Sequence, residues 1–309
     1  MLKAKKKVVY KAFGLSVTSE ISLPELPHMG NKVDSIDIEI KIEDLSELWF
    51  ELSNKKNRFV INENLVMFQI PNIATFSIQE GKRISVLPMK EDEEDMIRLY
   101  ILGTCMGVIL MQRKIFPLHG SAVAINGKAY AIIGDSGVGK STLASGFLNQ
   151  GYRLLSDDVI AVSLSHDDYI PFVTPSYPQQ KLWEDSLNNF GMKTSHYQSI
   201  CRRENKYCVP VPSKYFPNPL PLAGVFELVK TENEKVEIHP IEKLERLRTL
   251  FCHTYRNFLI PRLGLMDWHF HTSATILNKV DVYQLRRPVS RFSAPQLVSL
   301  ILNTVNKGE

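Results

Sequence analysis

The chain has 309 residues, of which 44% are hydrophobic and 23% are charged, and its formal net charge at pH 7 is +4. This length and apolar content suffice for one large domain or two smaller domains with packed cores. The small positive charge does not predict a nucleic-acid partner, because no stripe of Lys and Arg interleaved with aromatic residues accompanies it.

The cysteines and the apolar segments indicate the cellular compartment in which the protein is expected. The cysteines Cys105, Cys201, Cys208 and Cys252 form no CxxC pair and fit no zinc pattern, so we expect reduced thiols. The basic N-terminus has no continuous apolar segment, and a signal peptide is therefore not expected. The most apolar run, residues 99–111, is shorter than the ~20 residues of a membrane-spanning helix. We predict a cytoplasmic protein with no membrane partner.

The first part of the chain is rich in short β-prone segments separated by turn residues. We therefore predict a small β-rich N-terminal domain over residues 1–90 and a second domain over residues 91–309. An acidic run over residues 91–95 opens an apolar segment that reaches Met111, and this pattern predicts a buried helix. The predicted strands of the first domain are 8–13, 36–42, 59–61, 65–70, 75–78 and 84–86.

The middle of the chain begins with a hairpin signal. The pair Asn126-Gly127 separates two β-prone runs, 121–125 and 128–133, and such a pair favours a tight antiparallel turn. The sheet is therefore expected to be mixed rather than purely parallel. Further along we predict a helix at 140–149, strands at 152–155 and 159–164, mostly loops with one short helix (182–190) over 165–221, strands at 223–230 and 236–239, and helices near 241–255, 264–277 and 294–306.

The segment after the hairpin matches the phosphate-loop pattern G-x-x-x-x-G-K-[ST] in full. Gly137 and Gly139 let the backbone bend so that successive N–H groups point at phosphate oxygens, and the dipole of the following helix adds positive potential. Lys140 can neutralise the β- and γ-phosphates, and Ser141 offers a hydroxyl to Mg²⁺. The predicted ligands are ATP and Mg²⁺, and the predicted nucleotide contacts are Gly134, Asp135, Ser136, Gly137, Val138, Gly139, Lys140, Ser141 and Thr142.

Two adjacent carboxylates, Asp157-Asp158, follow the strand predicted at 152–155. A strand–loop–helix–strand unit returns the chain parallel to the strand before the loop, so this pair is expected at the same sheet edge as the phosphate loop. One carboxylate can accept the proton of an attacking hydroxyl while the other holds Mg²⁺ through water. The alternative is an Asp pair in a solvated turn.

His119 becomes a candidate through the hairpin register. A two-residue turn pairs Ile125 with Lys128, and the same register places His119 opposite Gly134, unless a bulge near Gly120 shifts it. The imidazole would then contact the transferring phosphoryl group or orient the base. A lone histidine with a structural role is the alternative.

These residues resemble the catalytic core of the HPr serine kinase/phosphorylase family. The resemblance covers Leu118-His119-Gly120, the sequence GDSGVGKST and Leu154 to Val159. It implies a phosphoenolpyruvate-carboxykinase-like α/β fold, ATP·Mg²⁺, a serine acceptor on a peptide or small protein, and makes a homo-oligomer plausible. It also implies Asp157 as the base with His119 beside it, Lys140 as a phosphate ligand, and Ser141 with Asp158 on the metal side.

A second resemblance extends over more of the chain, but the motifs that carry it are less specific. Tyr10 to Leu15, Leu23 to Leu26 and Pro178 to Asp185 are similar to HPr-kinase-like proteins of peptide biosynthesis clusters, among them the lasso peptide kinases. It implies that the acceptor is a serine at the C-terminus of a precursor peptide. The N-terminal region does not resemble the regulatory domain of HPr kinases, and no clear copy of that family's Glu-Arg-Gly signature follows the Asp pair. Both departures argue against HPr as the acceptor and against the reverse phosphorylase reaction, and an HPr(Ser) kinase-like regulator of a carrier protein is kept as the alternative function.

Basic side chains after the core are further candidates. Lys206 is the preferred one for closing over the γ-phosphate or the acceptor. The roles of Lys181, Arg202, Arg203, His253 and Arg256 stay open, since a charge run is usually a solvated face. Two functions from other classes also remain: an ATP-dependent switch that regulates a partner without phosphorylating it, and a small-molecule kinase of carboxykinase type.

Overall fold

The computed structural model describes residues 8–30, 35–53, 58–90, 93–200 and 205–306. The chain divides into two compact units. The N-terminal unit comprises Met1–Ile115 with Phe258–Asp267, and the C-terminal unit comprises Phe116–Asn257 with Trp268–Glu309. In the described ranges no helix combines the length and the apolar character that crossing a membrane requires. The described cysteines Cys105, Cys208 and Cys252 form no disulfide bond with one another.

The N-terminal unit is built on a mixed sheet. Across the described residues its strand order is β3-β1-β2-β4-β8-β7-β6-β5, with parallel pairing at β2–β4 and β4–β8. The strands are β1 Val9–Ala12, β2 Leu15–Ser19, β3 His28–Met29, β4 Ile38–Ile42, β5 Phe59–Asn62, β6 Leu65–Ile70, β7 Ala74–Gln79 and β8 Arg83–Pro88. The helices are α1 Ser46–Leu52, α2 Glu94–Tyr100, α3 Met106–Gln112 and α7 Leu259–Arg262, with a π-helical segment Ile101–Cys105 between α2 and α3.

The boundary of the N-terminal unit lies at Ile115 rather than at residue 90, because the helix expected after residue 91 packs on this sheet. The ring of Tyr100 lies 5.8 Å from that of Phe76, measured between centroids. Arg113 Nη2 lies 2.9 Å from Asp37 Oδ1 at the end of the helix. Residues 101–111 of this helix are all buried, as the apolar pattern predicts.

The C-terminal unit contains a second mixed sheet. Its described strand order is β10-β9-β12-β13-β17-β19-β18, with β11 on β9 and a further parallel pairing of β10 with β17. The strands are β9 Phe116–Ile125, β10 Lys128–Ile133, β11 Arg153–Ser156, β12 Val159–Leu164, β13 Pro171–Thr174, β17 Leu220–Thr231, β18 Glu237–Pro240 and β19 Asp281–Pro288. The helices are α4 Lys140–Asn149, α5 Glu184–Asn189, α6 Lys243–Cys252, α8 Met266–Leu277 and α9 Ala294–Val305.

Two apolar clusters cover the faces of this sheet. Strand β10 alternates between them, with Tyr130 and Ile132 in one cluster and Ala131 and Ile133 in the other. Such alternation is the period-2 pattern of a strand buried on both faces. The first cluster includes side chains of α4, α5 and α9, and the second includes side chains of α6 and α8.

The expectation of loops over residues 165–221 was wrong in part. Strands β14 Gln179–Trp183, β15 Gln198–Ser199 and β16 Lys206–Pro210 form a small sheet in the order β14-β16-β15, and β13 joins the large sheet. The Pro- and Tyr-rich composition of this segment does not indicate strands. These short strands are stabilised by pairing with distant segments rather than by local propensity. Short 3₁₀ turns occupy Thr194–His196 and Pro212–Lys214.

Candidate active site

The hairpin leading into the phosphate loop follows the predicted register as far as Gly120. Ile125 pairs with Lys128, and the ladder continues to Gly120 opposite Ile133. The prediction that His119 lies opposite Gly134 was wrong: β10 ends at Ile133, where Gly134 turns away with φ of 143°. His119 instead pairs with Val159 of β12, so β9 changes partner between Gly120 and His119.

The phosphate loop depends on glycines at positions where other residues are strained. Gly137 and Gly139 have φ of 78° and 107°, in the left-handed region that glycine tolerates. A Cβ atom on Gly134 would lie 2.5 Å from the backbone oxygen of Leu228. Gly139 is the N-cap of α4, so the loop ends on a helix N-terminus that favours anions.

Lys140 is held inside the loop. Its side chain is buried, and Nζ donates to the carbonyl oxygens of Gly134 at 2.8 Å and Asp135 at 2.9 Å. Burial lowers the pKa of Lys140, and the carboxylates of Asp157 and Asp158 oppose that effect. The ammonium group is therefore fixed on the strand side of the loop, where a lysine of this motif reaches the β- and γ-phosphates.

His119 lies against this lysine. Lys140 Nζ is 3.2 Å from His119 Nε2 and His119 Nδ1 is 3.0 Å from the backbone oxygen of Asp158. Because an ammonium group can only donate, Nε2 is the acceptor and Nδ1 carries the hydrogen that Asp158 accepts. Burial lowers the pKa of His119, which keeps the imidazole neutral. The ring of Tyr255 packs edge-on against His119 at 5.7 Å.

Asp157 is buried directly after β11, with both carboxylate oxygens engaged. Oδ1 accepts a hydrogen bond from Ser121 Oγ at 2.5 Å, and Oδ2 accepts one from the backbone N–H of Lys181 at 2.9 Å. Strands β10 and β11 both run antiparallel to β9, so they point in the same direction. The two predicted elements therefore meet at one end of the sheet, as the strand–loop–helix–strand reading requires.

Asp158 faces the ammonium group of Lys181 and the imidazole of His119. Its Oδ2 lies 2.8 Å from Lys181 Nζ, and its Oδ1 lies 3.6 Å from His119 Nδ1. Burial alone would raise the pKa of Asp158, but Lys181, His119 and Lys206 together hold it well below its ordinary value. Lys181 responds in the opposite direction, since Asp158 raises its pKa against the effect of burial. Asp158 is therefore ionised throughout the neutral range.

Among the basic candidates, the structure brings Lys181 and Lys206 to the site. Lys206 lies on β16 opposite Trp183, with Nζ 5.4 Å from the centroid of the indole ring, and its charge acts on both Lys140 and Asp158. Arg256 packs over Tyr255 at 5.9 Å. Arg202 and Arg203 lie outside the described residues.

Glu227 is a site residue that sequence reasoning missed. It pairs in parallel register with Ile133, so it stands beside the start of the phosphate loop. Its Oε1 lies 2.9 Å from Nε2 of His253. The backbone oxygen of His253 in turn accepts a hydrogen bond from the backbone N–H of His119 at 2.7 Å. The hydrogen bond from His253 lowers the pKa of Glu227. The usable signal was a glutamate inside a β-prone run, but only the parallel pairing of β17 with β10 gives it a location.

A nucleotide with Mg²⁺ fits these residues. Within the described residues, no group of three or more His, Cys, Asp or Glu side chains is arranged to hold a metal by itself. Mg²⁺ bound with nucleotide needs only one or two protein oxygen ligands, because phosphates and water complete its shell. Ser141, at the start of α4, and the ionised Asp158 are such donors.

Comparison with known proteins places this geometry in context. Residues 112–182 match the model of the HPr Serine kinase C-terminal domain. An HPr kinase/phosphorylase of Mycoplasmopsis pulmonis is 36% identical over 78 residues, which is 24% of this chain and 25% of the relative. An HPr kinase/phosphorylase of Burkholderia lata is 29% identical over 152 residues, which is 48% of this chain and 44% of the relative.

The chain thus spans a quarter to under a half of the length of these two curated relatives. The solved structure of an Hpr(Ser) kinase/phosphatase from Coxiella burnetii aligns with 62% of this chain and 97% of its own at 15% identity and a TM-score of 0.33. The sequence matches support an HPr kinase-like family for the phosphate-loop segment of this chain.

Proposed function

We propose that this protein is an ATP-dependent kinase that phosphorylates a serine hydroxyl of a peptide or small protein. The observation that carries the proposal is the convergence of Lys140, His119 and Asp157 where β10 and β11 end. A protein that only bound a nucleotide would need the loop and its lysine, but it would not need a buried carboxylate beside them.

The proposed reaction assigns each group one role. The serine oxygen attacks the γ-phosphorus, the bond from that phosphorus to the β–γ bridging oxygen breaks, and ADP leaves. Asp157 accepts the proton of the serine hydroxyl. Lys140 neutralises charge on the phosphate oxygens, and His119, a neutral imidazole, positions Lys140 from the side of β9. Mg²⁺ bound through Ser141 and Asp158 would supply further neutralisation of the phosphate charge.

The electrostatics of the two aspartates support this division of roles. The ammonium of Lys181 holds the pKa of Asp158 low, which makes Asp158 a poor proton acceptor and a good ligand for a cation. Asp157 accepts its two hydrogen bonds from uncharged donors, a hydroxyl and a backbone N–H. We therefore assign the base to Asp157 and the metal side to Asp158.

We propose that the acceptor docks in a cavity beside the start of the phosphate loop. It has a volume of about 680 Å³, and Asp135 and Ser136 of the loop form one wall while Glu227 and His253 form another. The relatives are named for the protein HPr. The motifs shared with the lasso peptide kinases favour a serine of a precursor peptide instead, and we propose that acceptor first.

The test is a transfer assay with both acceptors. The chain is incubated with ATP and Mg²⁺ and either a peptide ending in serine or HPr, and phosphate addition is followed by mass spectrometry. We expect transfer to the peptide, none to a matched peptide ending in alanine, and none by Lys140→Met. Transfer to HPr alone would show that HPr, and not the peptide, is the acceptor. ATP-dependent binding of the peptide without phosphate transfer would show that the protein is a nucleotide-dependent switch and not a kinase.

A further inference from the structure

Ser121 is a fully buried serine of β9 that takes no part in the reaction steps assigned above. Its exposed fraction is 0%, and it pairs with Ile132 of β10. Most side-chain hydrogen bonds in proteins go to backbone or water rather than to another side chain. Ser121 Oγ instead donates to Oδ1 of Asp157, a carboxylate 36 residues later in the chain, at 2.5 Å. A hydroxyl-to-carboxylate bond of this length is of the strong, charge-assisted kind.

An irregularity in β11 turns Asp157 toward Ser121. Strand β11 carries an extra residue, Leu155, between two consecutive pairs with β9. A bulge of this kind bends the strand and re-aims the side chains beside it. Strict alternation would place Asp157 on the face of Leu155, which lies in the apolar cluster that includes side chains of α6 and α8. The extra residue places Asp157 on the face of Ser121 instead, where the two side chains meet.

Ser121 is the last of three consecutive residues of β9 that hold the Asp157-Asp158 turn. The backbone oxygen of Asp158 accepts hydrogen bonds from His119 Nδ1 at 3.0 Å and from the backbone N–H of Gly120 at 3.2 Å. Asp158 has φ of 75°, in the left-handed region that residues with a side chain rarely adopt. Such backbone persists where the surrounding contacts over-determine it, often at functional sites. Ser121 extends these contacts from the backbone of Asp158 to the carboxylate of Asp157.

The orientation of the Asp157 carboxylate is set by one donor at each oxygen. Oδ1 accepts from the Ser121 hydroxyl, and Oδ2 accepts from the backbone N–H of Lys181. The carboxylate cannot rotate about its Cβ–Cγ bond without breaking one of these bonds. Each oxygen keeps a second lone pair, so the group can still take a proton from an acceptor. Without the Ser121 hydroxyl, the carboxylate can turn about the remaining bond at Oδ2.

We propose that Ser121 is a positioning residue, whose hydroxyl holds the carboxylate of Asp157 in the orientation that accepts the proton of the acceptor serine. A general base must lie within hydrogen-bond reach of that proton, and a small misplacement lowers the rate. Because Ser121 is fully buried, it acts through Asp157 and not by touching the nucleotide or the acceptor. This inference rests on the proposed function, since it takes Asp157 as the base.

The test is a double-mutant cycle on the rate of phosphate transfer. The transfer rate, followed by mass spectrometry, and the ATP affinity, measured by calorimetry, are determined for the wild type, Ser121→Ala, Asp157→Asn and the double variant. We expect Ser121→Ala to lower the transfer rate by about 10–100-fold and to leave the ATP affinity unchanged. Combined with Asp157→Asn, the same substitution should cost nothing further, because residues that act as a unit are not additive.

Ser145→Ala is the matched control. Ser145 is also a buried serine, and its hydroxyl donates to Oε1 of Gln180 at 2.9 Å, in a bond that does not involve Asp157. We expect this variant to shift the midpoint of urea unfolding as Ser121→Ala does and to keep the transfer rate of the wild type. If Ser121→Ala does not fold, Ser121→Cys fills the same space with a weak S–H donor and gives the same comparison.

The outcomes separate the positioning role from the proposed function. A wild type that transfers phosphate while Ser121→Ala or Ser121→Cys transfers as fast overturns the positioning role alone. A loss of rate that is equally large with and without Asp157→Asn also overturns it, because the serine would then act on the fold and not through the base. A wild type that transfers no phosphate overturns the proposed function and the positioning role with it.

Discussion

Replacing Lys181 with methionine removes the cation of a largely buried ion pair. Lys181 Nζ lies 2.8 Å from Asp158 Oδ2, and the two side chains are 9% and 27% exposed. Two unit charges about 4 Å apart attract by about 4 kcal/mol at an effective dielectric constant of about 20. Desolvation of the pair and the exposure of Asp158 offset part of this attraction, so we expect a coupling of about 2 kcal/mol, below the ~3–5 kcal/mol loss seen when a fully buried pair is broken.

A double-mutant cycle measures this coupling. The free energy of unfolding in urea is determined for the wild type, Lys181→Met, Asp158→Asn and the double variant at pH 7, using the fluorescence of Trp183 and Trp268 in the C-terminal unit. Methionine keeps the backbone N–H that Asp157 accepts, so the cycle isolates the ion pair.

The matched control is a cycle on Arg248 and Glu245, an i,i+3 pair at 2.7 Å whose side chains are 72% and 55% exposed. Water screens such a pair, and its coupling should stay below about 1 kcal/mol. A Lys181–Asp158 coupling no larger than that of the control would refute the claim that Lys181 holds Asp158 ionised.

Two further predictions concern stability. His269 is buried against Phe116, and burial lowers its pKa to about 4. Below pH ~6.5 the unfolded chain then binds more protons than the folded one, so the free energy of unfolding should fall by up to about 3 kcal/mol as the pH drops from ~6.5 to ~4. Urea titrations of His269→Gln should show no such pH dependence, and a pH profile unchanged from that of the wild type would contradict the prediction. A Cβ on Gly120 would lie 2.2 Å from the backbone oxygen of Ile132, so Gly120→Ala should lower the free energy of unfolding by about 2 kcal/mol. Gly30→Ala, which meets no atom within 4 Å, is its control, and equal thermal shifts would count against the argument.

The hairpin and the loop could be predicted because their signals are local. Asn126-Gly127 fixes the register of β9 and β10, and the glycines of the phosphate loop are required by backbone geometry at their own positions. The partner change of β9 at Gly120 could not be predicted, since it depends on β12, a strand nearly forty residues later. His119 reaches Lys140 all the same, by a different pairing from the one expected.

Local sequence patterns could not predict the side chains that reach the site through pairing between distant strands. Lys181 lies on β14, a strand within a segment expected to be mostly loops, and its partner Asp158 lies 23 residues earlier. Glu227 acquires its place only because β17 runs parallel to β10. In both cases the residue type was visible in the sequence, but its neighbours across the sheet were not.

The central claim is that Asp157 is the proton acceptor for transfer and not a ligand of the nucleotide. The most direct measurement compares ATP affinity with the transfer rate in Asp157→Asn. The assigned role predicts an affinity within about threefold of the wild type and a transfer rate lower by about 10²–10⁴, the usual contribution of a general base. A transfer rate near that of the wild type, or a loss of ATP affinity as large as the loss of rate, would contradict it.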